Sequence, residues 1–495
     1  MVDFTAQGYL TGKPQTQGLS VVLFGDSLTA YNNLPVSIGG IVGDGTTSLV
    51  TCGSSPVTDG STVLITATGS TFFDKQFFTA TGVDVNTFSI PNAFNGALGA
   101  IGAATLHDWE CERGYWTMAA MIMGHKLRRV FNAGIGGDTL FAARSRVFRD
   151  VISKKPSHVV LMMGINDIAS GFTASQILGF YDDFYNQVLN AGIVPVGLTI
   201  LPLASTHANF ATSTPIILQT NQLHREYGRS RGIQVIDTFG EAVDTAQSDG
   251  RAIAAYFASD GIHPNTVCAR VLGIKIANSL LSLPSPQLYS TNQADSFGVN
   301  ANNRNLADQS PWATVGGTVT APMTGVMPTG FTFARSSGAG AGAGSVVART
   351  LVSDGDTVGN NAVLTLTPAA DGDAYTLTLT PDITPRTIAG RSYQVSAQMR
   401  LVGTAGSTLK RIRFQNLLLP PSGVRAAITA GLSNDVTVIN SANYDDRTYH
   451  IRFPRFKMPS WCTNGFAPVL TLIFGGVGGA LTVNVGRVTV ELLND

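Results

Sequence analysis

The sequence predicts an α/β protein: a three-layer α/β/α sandwich around a parallel sheet, with a small β insertion and a C-terminal β-sandwich of jelly-roll type. Three observations carry this. Short apolar runs alternate with stretches of helical period over residues 18–35 and 106–284, the pattern of a parallel sheet covered on both faces. Residues 36–105 are instead β-branched and aromatic, cut by Gly, Asp and Asn turns. Beyond residue 300, β-branched segments recur at a spacing of about ten residues with hardly any helical period.

The elements follow in order. SVVLFG (20–25) is continuously apolar, as a strand buried on both faces must be. GYWTMAAMIMGHKLRR (114–129) has apolar residues at helical spacing, VFNAG is a short strand, and TLFAARSRVFRDVISK reads as one helix. HVVLMMG (158–164) is a strand. TASQILGFYDDFYNQVLNAG is a helix, with Gly192 as its C-terminal stop. IVPVGLTI, a helix over 215–229 and IQVIDTF continue the alternation. PNTVCARVLGIKIANSLLSL closes it, with Pro264 suited to a first helical turn. Ligands of such sheets sit beyond the carboxyl ends of the strands. The expected organisation is a lead segment (1–17), the α/β domain (18–35 and 106–284), the β insertion (36–105), a linker (285–300) and the β-sandwich (301–495). The run SSGAGAGAG (336–344) reads as a loop within the sandwich.

Composition narrows the function. The chain of 495 residues carries 32 Lys plus Arg against 32 Asp plus Glu, a formal net charge of zero. Nothing in that balance points to nucleic acid or an anionic membrane surface. No apolar run is long enough for a membrane-spanning helix, and the start MVDFTAQGYLTGKPQ lacks the basic and apolar regions of a signal peptide. Cys52, Cys111, Cys268 and Cys462 show no CxxC spacing, so they form no metal or disulfide framework; they read as buried free thiols, with a single bridge as the alternative.

Four short stretches fall just after strands, on one rim of the expected sheet: Gly25-Asp26-Ser27-Leu28, the block from Asn132 to Thr139, Gly164-Ile165-Asn166-Asp167, and Asp260-Gly261-Ile262-His263-Pro264. Ser27 alone would read as a helix-capping serine. With a base it is a nucleophile. His263 suits that base, because imidazole titrates near neutral pH, and Asp260 three residues earlier can reach its Nδ1–H. Ser27 N–H, Gly137 N–H and the Asn166 amide offer three donors for one oxyanion. Asp26 and Asp167 read as loop-holding groups, and Asp138 with Thr139 as a helix start.

In these blocks the chain resembles the GDSL, or SGNH, hydrolases, which carry GDS, N-x-x-x-x-G, G-x-N-D and D-x-x-H in this order. The resemblance covers roughly 18–35 and 106–284. It implies a three-layer α/β sandwich, Ser27 as nucleophile, Asp260 and His263 completing a triad, Gly137 and Asn166 as oxyanion donors with Ser27, and no metal or organic cofactor. Within that family a fused β-sandwich suggests a glycan-binding module, hence removal of O-acetyl groups from a polysaccharide. The lysine-poor, Gly/Thr-rich sequence is similar to phage tail proteins with esterase domains, which would act outside the cell as part of a virion or a homo-oligomer. The rivals are a lipase or general carboxylesterase acting on a small ester, and a non-catalytic glycan-binding or structural tail protein.

Other motifs read as structure. Gly228-Arg229-Ser230-Arg231-Gly232 matches GxSxG, but stands between a helix and a strand, the reverse of the order a nucleophile elbow needs. Trp312, Tyr375, Tyr393 and Trp461 are stacking candidates that equally suit a core. His107, Asp108 and Glu110 end the insertion and are candidates for lining the cleft. The acidic turns Asp354-Gly355-Asp356 and Asp371-Gly372-Asp373 lack the spacing of a calcium loop. His125, His158, His207, His224 and His450 have no motif context.

Overall fold

The computed structural model describes residues 19–52, 57–84, 86–99, 103–110, 114–283, 316–338, 342–354, 357–379, 387–419, 427–430, 444–452 and 455–493. The lead segment, the linker 285–300, Cys111 and Trp312 lie outside these residues. The chain divides into two compact units, residues 1–33 with 110–286 and residues 34–109 with 287–495.

In the first unit five parallel strands form one sheet: β1 (Leu19–Gly25), β2 (Leu127–Gly134), β3 (His158–Met162), β4 (Val194–Leu198) and β5 (Gln234–Ile236), in the order β2-β1-β3-β4-β5. The chain leaves β1 toward one edge and then returns to its other side. The crevice at this reversal is where such sheets hold ligands. The register sets Gly25 beside Gly134 on one side and Met162 on the other, so all three strands end on the same rim.

Alternation along the strands builds the layers. Val21, Leu23, Val160, Met162, Val196 and Leu198 share a buried core with Tyr115 and Trp116 of helix α2 (Tyr115–Ile122) and with Cys268, Leu272 and Ile276 of α5 (Thr266–Ser279). On the other face Phe24 stacks on Phe184 of α3 (Ala174–Asn190), ring centroids 5.1 Å apart, and α4 (Phe210–Arg231) packs beside α3 through Tyr185 and His224. The first helical turn, α1 (Ser27–Ala30), follows β1 directly. Burying each such large apolar side chain stabilises by roughly 1.5–3 kcal/mol, so the sheet is held from both sides.

Several boundaries differ from expectation. The helix expected over 114–129 stops at Ile122. Gly124 and His125 adopt φ of +65° and +52°, and His125 N–H bonds Ala120 O at 2.8 Å, the left-handed stop that ends many helices. Lys126 to Arg129 then turn and open β2. TLFAARSRVFRDVISK is broken into short turns, Leu140–Ala143, Arg144–Arg146, Val147–Asp150 and Ile152–Lys154, because Arg146 turns inward. Helix α4 begins five residues before Pro215. Pro264 lies just outside α5, whose cap is Asn265, accepting from Val267 and Cys268 N–H.

In the second unit the strands from Asn33–Asp44 to Ala103–Glu110 form a seven-stranded sheet, as the β-branched composition of the insertion predicts. The C-terminal part forms a six-stranded and a seven-stranded sheet, mainly antiparallel. Tyr393 of one meets Phe466 of the other, ring centroids 5.3 Å apart. Tyr375 and Tyr393 are fully buried; they belong to the core and leave the set of stacking candidates. Ser336 and Ser337 extend a strand that the Gly-Ala run was expected to interrupt, and residues 339–341 lie outside the described residues. Asp373 is buried and paired with Arg335, which accounts for its acidic turn; residues 355–356 of the other turn lie outside the described residues. Among the described residues no helix is long and apolar enough to cross a membrane, and Cys52, Cys268 and Cys462 are buried free thiols.

Candidate active site

The site begins where β1 ends. A Cβ added at Gly25 would lie 2.0 Å from Thr29 Oγ1 and 2.6 Å from Met162 O, so the chain can fold back here only through glycine. Asp26 caps α1, its Oδ1 accepting from Leu28 N–H at 3.0 Å. Ser27 follows as the first residue of the turn, where a backbone N–H has no partner within its own helix. The N–H groups of Ser27 and Gly137 find no protein acceptor among the described residues.

Asp260 and His263 come from the turn before α5. Asp260 Oδ1 accepts the backbone N–H groups of Ile262 and His263, both at 3.0 Å, and Oδ2 stands 2.7 Å from His263 Nδ1. Burial pushes the Asp260 carboxyl up, but the two N–H groups and the imidazole outweigh it and hold it at about 2. A carboxylate at Nδ1 keeps the proton there and leaves Nε2 as an acceptor. His263 Nε2 lies 2.9 Å from Ser27 Oγ. The Tyr31 ring leans on the imidazole, centroids 4.9 Å apart.

The loops after β2 and β3 complete the rim. A Cβ added at Gly136 would lie 3.9 Å from Ser27 Cβ, so the β2 loop runs beside the serine. Gly137 has φ of +73° with open space around it, so backbone conformation, rather than room, selects glycine. Asn166, on the short helix Ile165–Ala169, donates from Nδ2 to Asp138 O at 2.9 Å. One amide hydrogen is thereby committed and the other remains. Asp167 ties the loops together by accepting from Leu140 N–H at 2.7 Å and Phe141 N–H at 3.0 Å. Asp26 is fully buried, and its Oδ2 has no hydrogen-bond partner among the described residues. Burial, with the Asp167 and Asp138 charges nearby, pushes this carboxyl up to about 7, against the pull of the Leu28 N–H.

Thus Ser27, His263 and Asp260 stand in one hydrogen-bonded series, and the segments that carry Gly137 and Asn166 are joined through Asp138 O. Asp138 also pairs with Arg146 at 2.8 Å, and Thr139 caps the following turn, accepting from Ala142 N–H at 3.1 Å. Sequence reasoning missed three supports. Tyr31 is one; its signal is its place four residues after Ser27. Asn132, which opens the second block, is buried and donates to Thr29 O at 3.0 Å and Asn33 Oδ1 at 2.8 Å. Arg146 bonds Ala133 O at 2.8 Å and Gly25 O at 3.2 Å; nothing in its sequence context marks it. Ser230 of the GxSxG match donates to Tyr227 O within the last turn of α4, a helix terminus. The side chains of His107, Asp108 and Glu110 lie outside the described residues.

A serine, an imidazole and a carboxylate in series at the carboxyl ends of a parallel sheet form the arrangement of a serine hydrolase. Residues 101–270 match the model of the GDSL-like Lipase/Acylhydrolase family. Over those residues the chain is similar to a domain of that family. Among solved structures, the lipase/acylhydrolase from Enterococcus faecalis is similar, at 16% identity over 55% of this chain and 99% of its own, with a TM-score of 0.32. A GDSL-like lipase from Bacteroides thetaiotaomicron is 20% identical over 30% and 74%, with a TM-score of 0.29. An acetyl xylan esterase is 21% identical over 34% and 91%, with a TM-score of 0.30. No curated protein matches the chain.

Proposed function

We propose that this protein is a serine esterase that removes O-acetyl groups from a polysaccharide. The observation that carries the catalytic part is the series Ser27 Oγ, His263 Nε2, His263 Nδ1, Asp260 Oδ2, with steps of 2.9 and 2.7 Å between residues. Ser27 Oγ attacks the ester carbonyl while His263 Nε2 takes its proton. The oxyanion rests on Ser27 N–H, Gly137 N–H and the Asn166 amide; removing one such donor raises the barrier by about 3 kcal/mol. His263 returns the proton to the departing sugar hydroxyl. Water, deprotonated by the same imidazole, then attacks the acyl-serine carbonyl, the bond to Ser27 Oγ breaks, and His263 returns the proton to Oγ as acetate is released. These steps use side-chain and backbone groups of this chain and water.

The polysaccharide is suggested by the β-rich unit, whose C-terminal part we read as a jelly-roll-like sandwich of the glycan-binding kind. Action outside the cell as part of a virion tail accords with the lysine-poor, Gly/Thr-rich sequence. A second reading, hydrolysis of longer acyl esters, is favoured by one feature. Phe141, half exposed in the turn after Gly137, packs with Phe172, which follows Asn166, and with Phe180 of α3, at centroid distances of 5.4 and 5.3 Å. A chain-length series of nitrophenyl esters, run beside acetylated glycans with Ser27→Ala as control, separates the two. Acetate-restricted activity supports the glycan reading, and a rate that climbs with chain length replaces it by the lipase reading. A folded wild-type chain that a fluorophosphonate fails to label would leave only a binding role.

A further inference from the structure

The His263 imidazole is held on three sides. Asp260 takes Nδ1, Ser27 takes Nε2, and the Tyr31 ring lies against its face at 4.9 Å between centroids with 35° between planes. Ser27 and Tyr31 are four residues apart on one helical turn, with Tyr31 N–H donating to Ser27 O at 3.0 Å. Side chains at i and i+4 of a helix share a face. A single turn therefore presents both a hydroxyl and an aromatic ring to the same imidazole.

We infer that Tyr31 is a positioning residue for the base, an inference that rests on the serine-esterase reading above. His263 sits on a turn that follows Gly261, which has φ of +71°, and its side chain retains some exposure. Two hydrogen bonds fix the ring's edges, and the tyrosine face limits rotation out of line with Ser27 Oγ. The ring also acts on charge. When Ser27 gives up its proton the imidazole becomes a cation, and the face of an aromatic ring attracts a cation. That attraction grows as the proton transfers, so it favours the transition state over the bound substrate and belongs in kcat rather than KM.

The test compares Tyr31→Phe, which keeps the ring, with Tyr31→Leu, which fills similar space without a π face. Tyr31→Met is assayed in parallel, so that an unfolded leucine variant still leaves a result; thermal unfolding checks each chain. Two rates are read. One is kcat and KM on nitrophenyl acetate. The other is phosphonylation by a fluorophosphonate, in which Ser27 Oγ bonds to phosphorus, the P–F bond breaks, fluoride departs and the proton goes to His263. Tyr31→Leu and Tyr31→Met are expected to lose about tenfold in both kcat and phosphonylation rate, with KM within about twofold. Tyr31→Phe is expected to stay near wild type. Leucine and methionine variants as fast as wild type would overturn the inference. So would a phenylalanine variant as slow as leucine, which would assign the effect to the hydroxyl. Failure of the esterase reading looks different: wild type itself then takes no label.

Discussion

His263 meets Ser27 across 236 residues of chain, and in the proposed mechanism the Asp260 carboxylate keeps the imidazole proton on Nδ1. Asp260→Asn offers an amide in its place and permits the wrong tautomer. The expected loss in kcat is on the order of 10⁴-fold, with fluorophosphonate labelling slowed alongside. Because its carboxyl is held at about 2, Asp260 stays ionised through the working range, and acidification to pH 4 will not show its titration. Asp26 behaves in the opposite sense. Its ordinary value is 3.8 and its folded value about 7, so between those limits the unfolded chain has released a proton that the folded chain keeps. Stability therefore falls as pH rises from about 4 to about 7, by roughly 4 kcal/mol at most at about 1.4 kcal/mol per unit. Burial also raises the Asp167 carboxyl, which adds in the same direction. Melting temperatures at pH 5 and pH 8 measure the fall, and Asp26→Asn is expected to remove most of it. The residues that the fold brings together at the candidate site were legible in sequence because the chemistry proposed for them demands particular residue types on strand ends. The burial of Asp26 and the ring over His263 were not, since both depend on neighbours that only the folded chain supplies.

Arg146 shows why element boundaries were less legible than element order. Helical period runs through TLFAARSRVFRDVISK, and local propensity favours one continuous helix. A guanidinium nine-tenths buried outweighs that preference, because it bonds Gly25 O and Ala133 O and pairs with Asp138 and Asp150. It thereby fastens the ends of β1 and β2, the two strands whose exits carry Ser27 and Gly137. Arg146→Ala would leave the buried Asp150 without this partner and take one donor from each of the Gly25 and Ala133 carbonyls. Removing one member of a buried pair costs about 3–5 kcal/mol, so a fall in melting temperature of several degrees is expected. Activity should fall further than stability alone explains at temperatures where the domain remains folded. The early stop of α2 at Ile122 has a similar origin, with the left-handed Gly124-His125 pair ending the helix where apolar spacing alone continues. Strand identity survived in every case, because continuous apolar runs leave a buried parallel strand few alternatives.

The chain balances its charges, so the polysaccharide of the proposed function would have no overall field to steer it, and its recognition would rest on local contacts. In the β-rich unit the tyrosines that sequence offered for sugar stacking are spent on the core. Tyr393 is fully buried, its hydroxyl accepting from Ile388 N–H at 2.7 Å and donating to Ile388 O at 3.2 Å. A glycan held there would be held by other groups, Trp461 among the candidates that remain partly exposed. Tyr393→Phe should then cost about 1 kcal/mol of stability through the lost hydrogen bonds and leave polysaccharide retention unchanged. Retention is best read on the full chain carrying Ser27→Ala, which binds without turnover. The active enzyme provides the companion measurement. Deacetylated polymer should compete with acetylated polymer and slow its hydrolysis, while leaving nitrophenyl acetate hydrolysis untouched, because the small ester needs only the Ser27 site. Equal inhibition of both substrates would place the polymer at Ser27 itself, and no inhibition of either would remove the glycan-binding role from the β-rich unit.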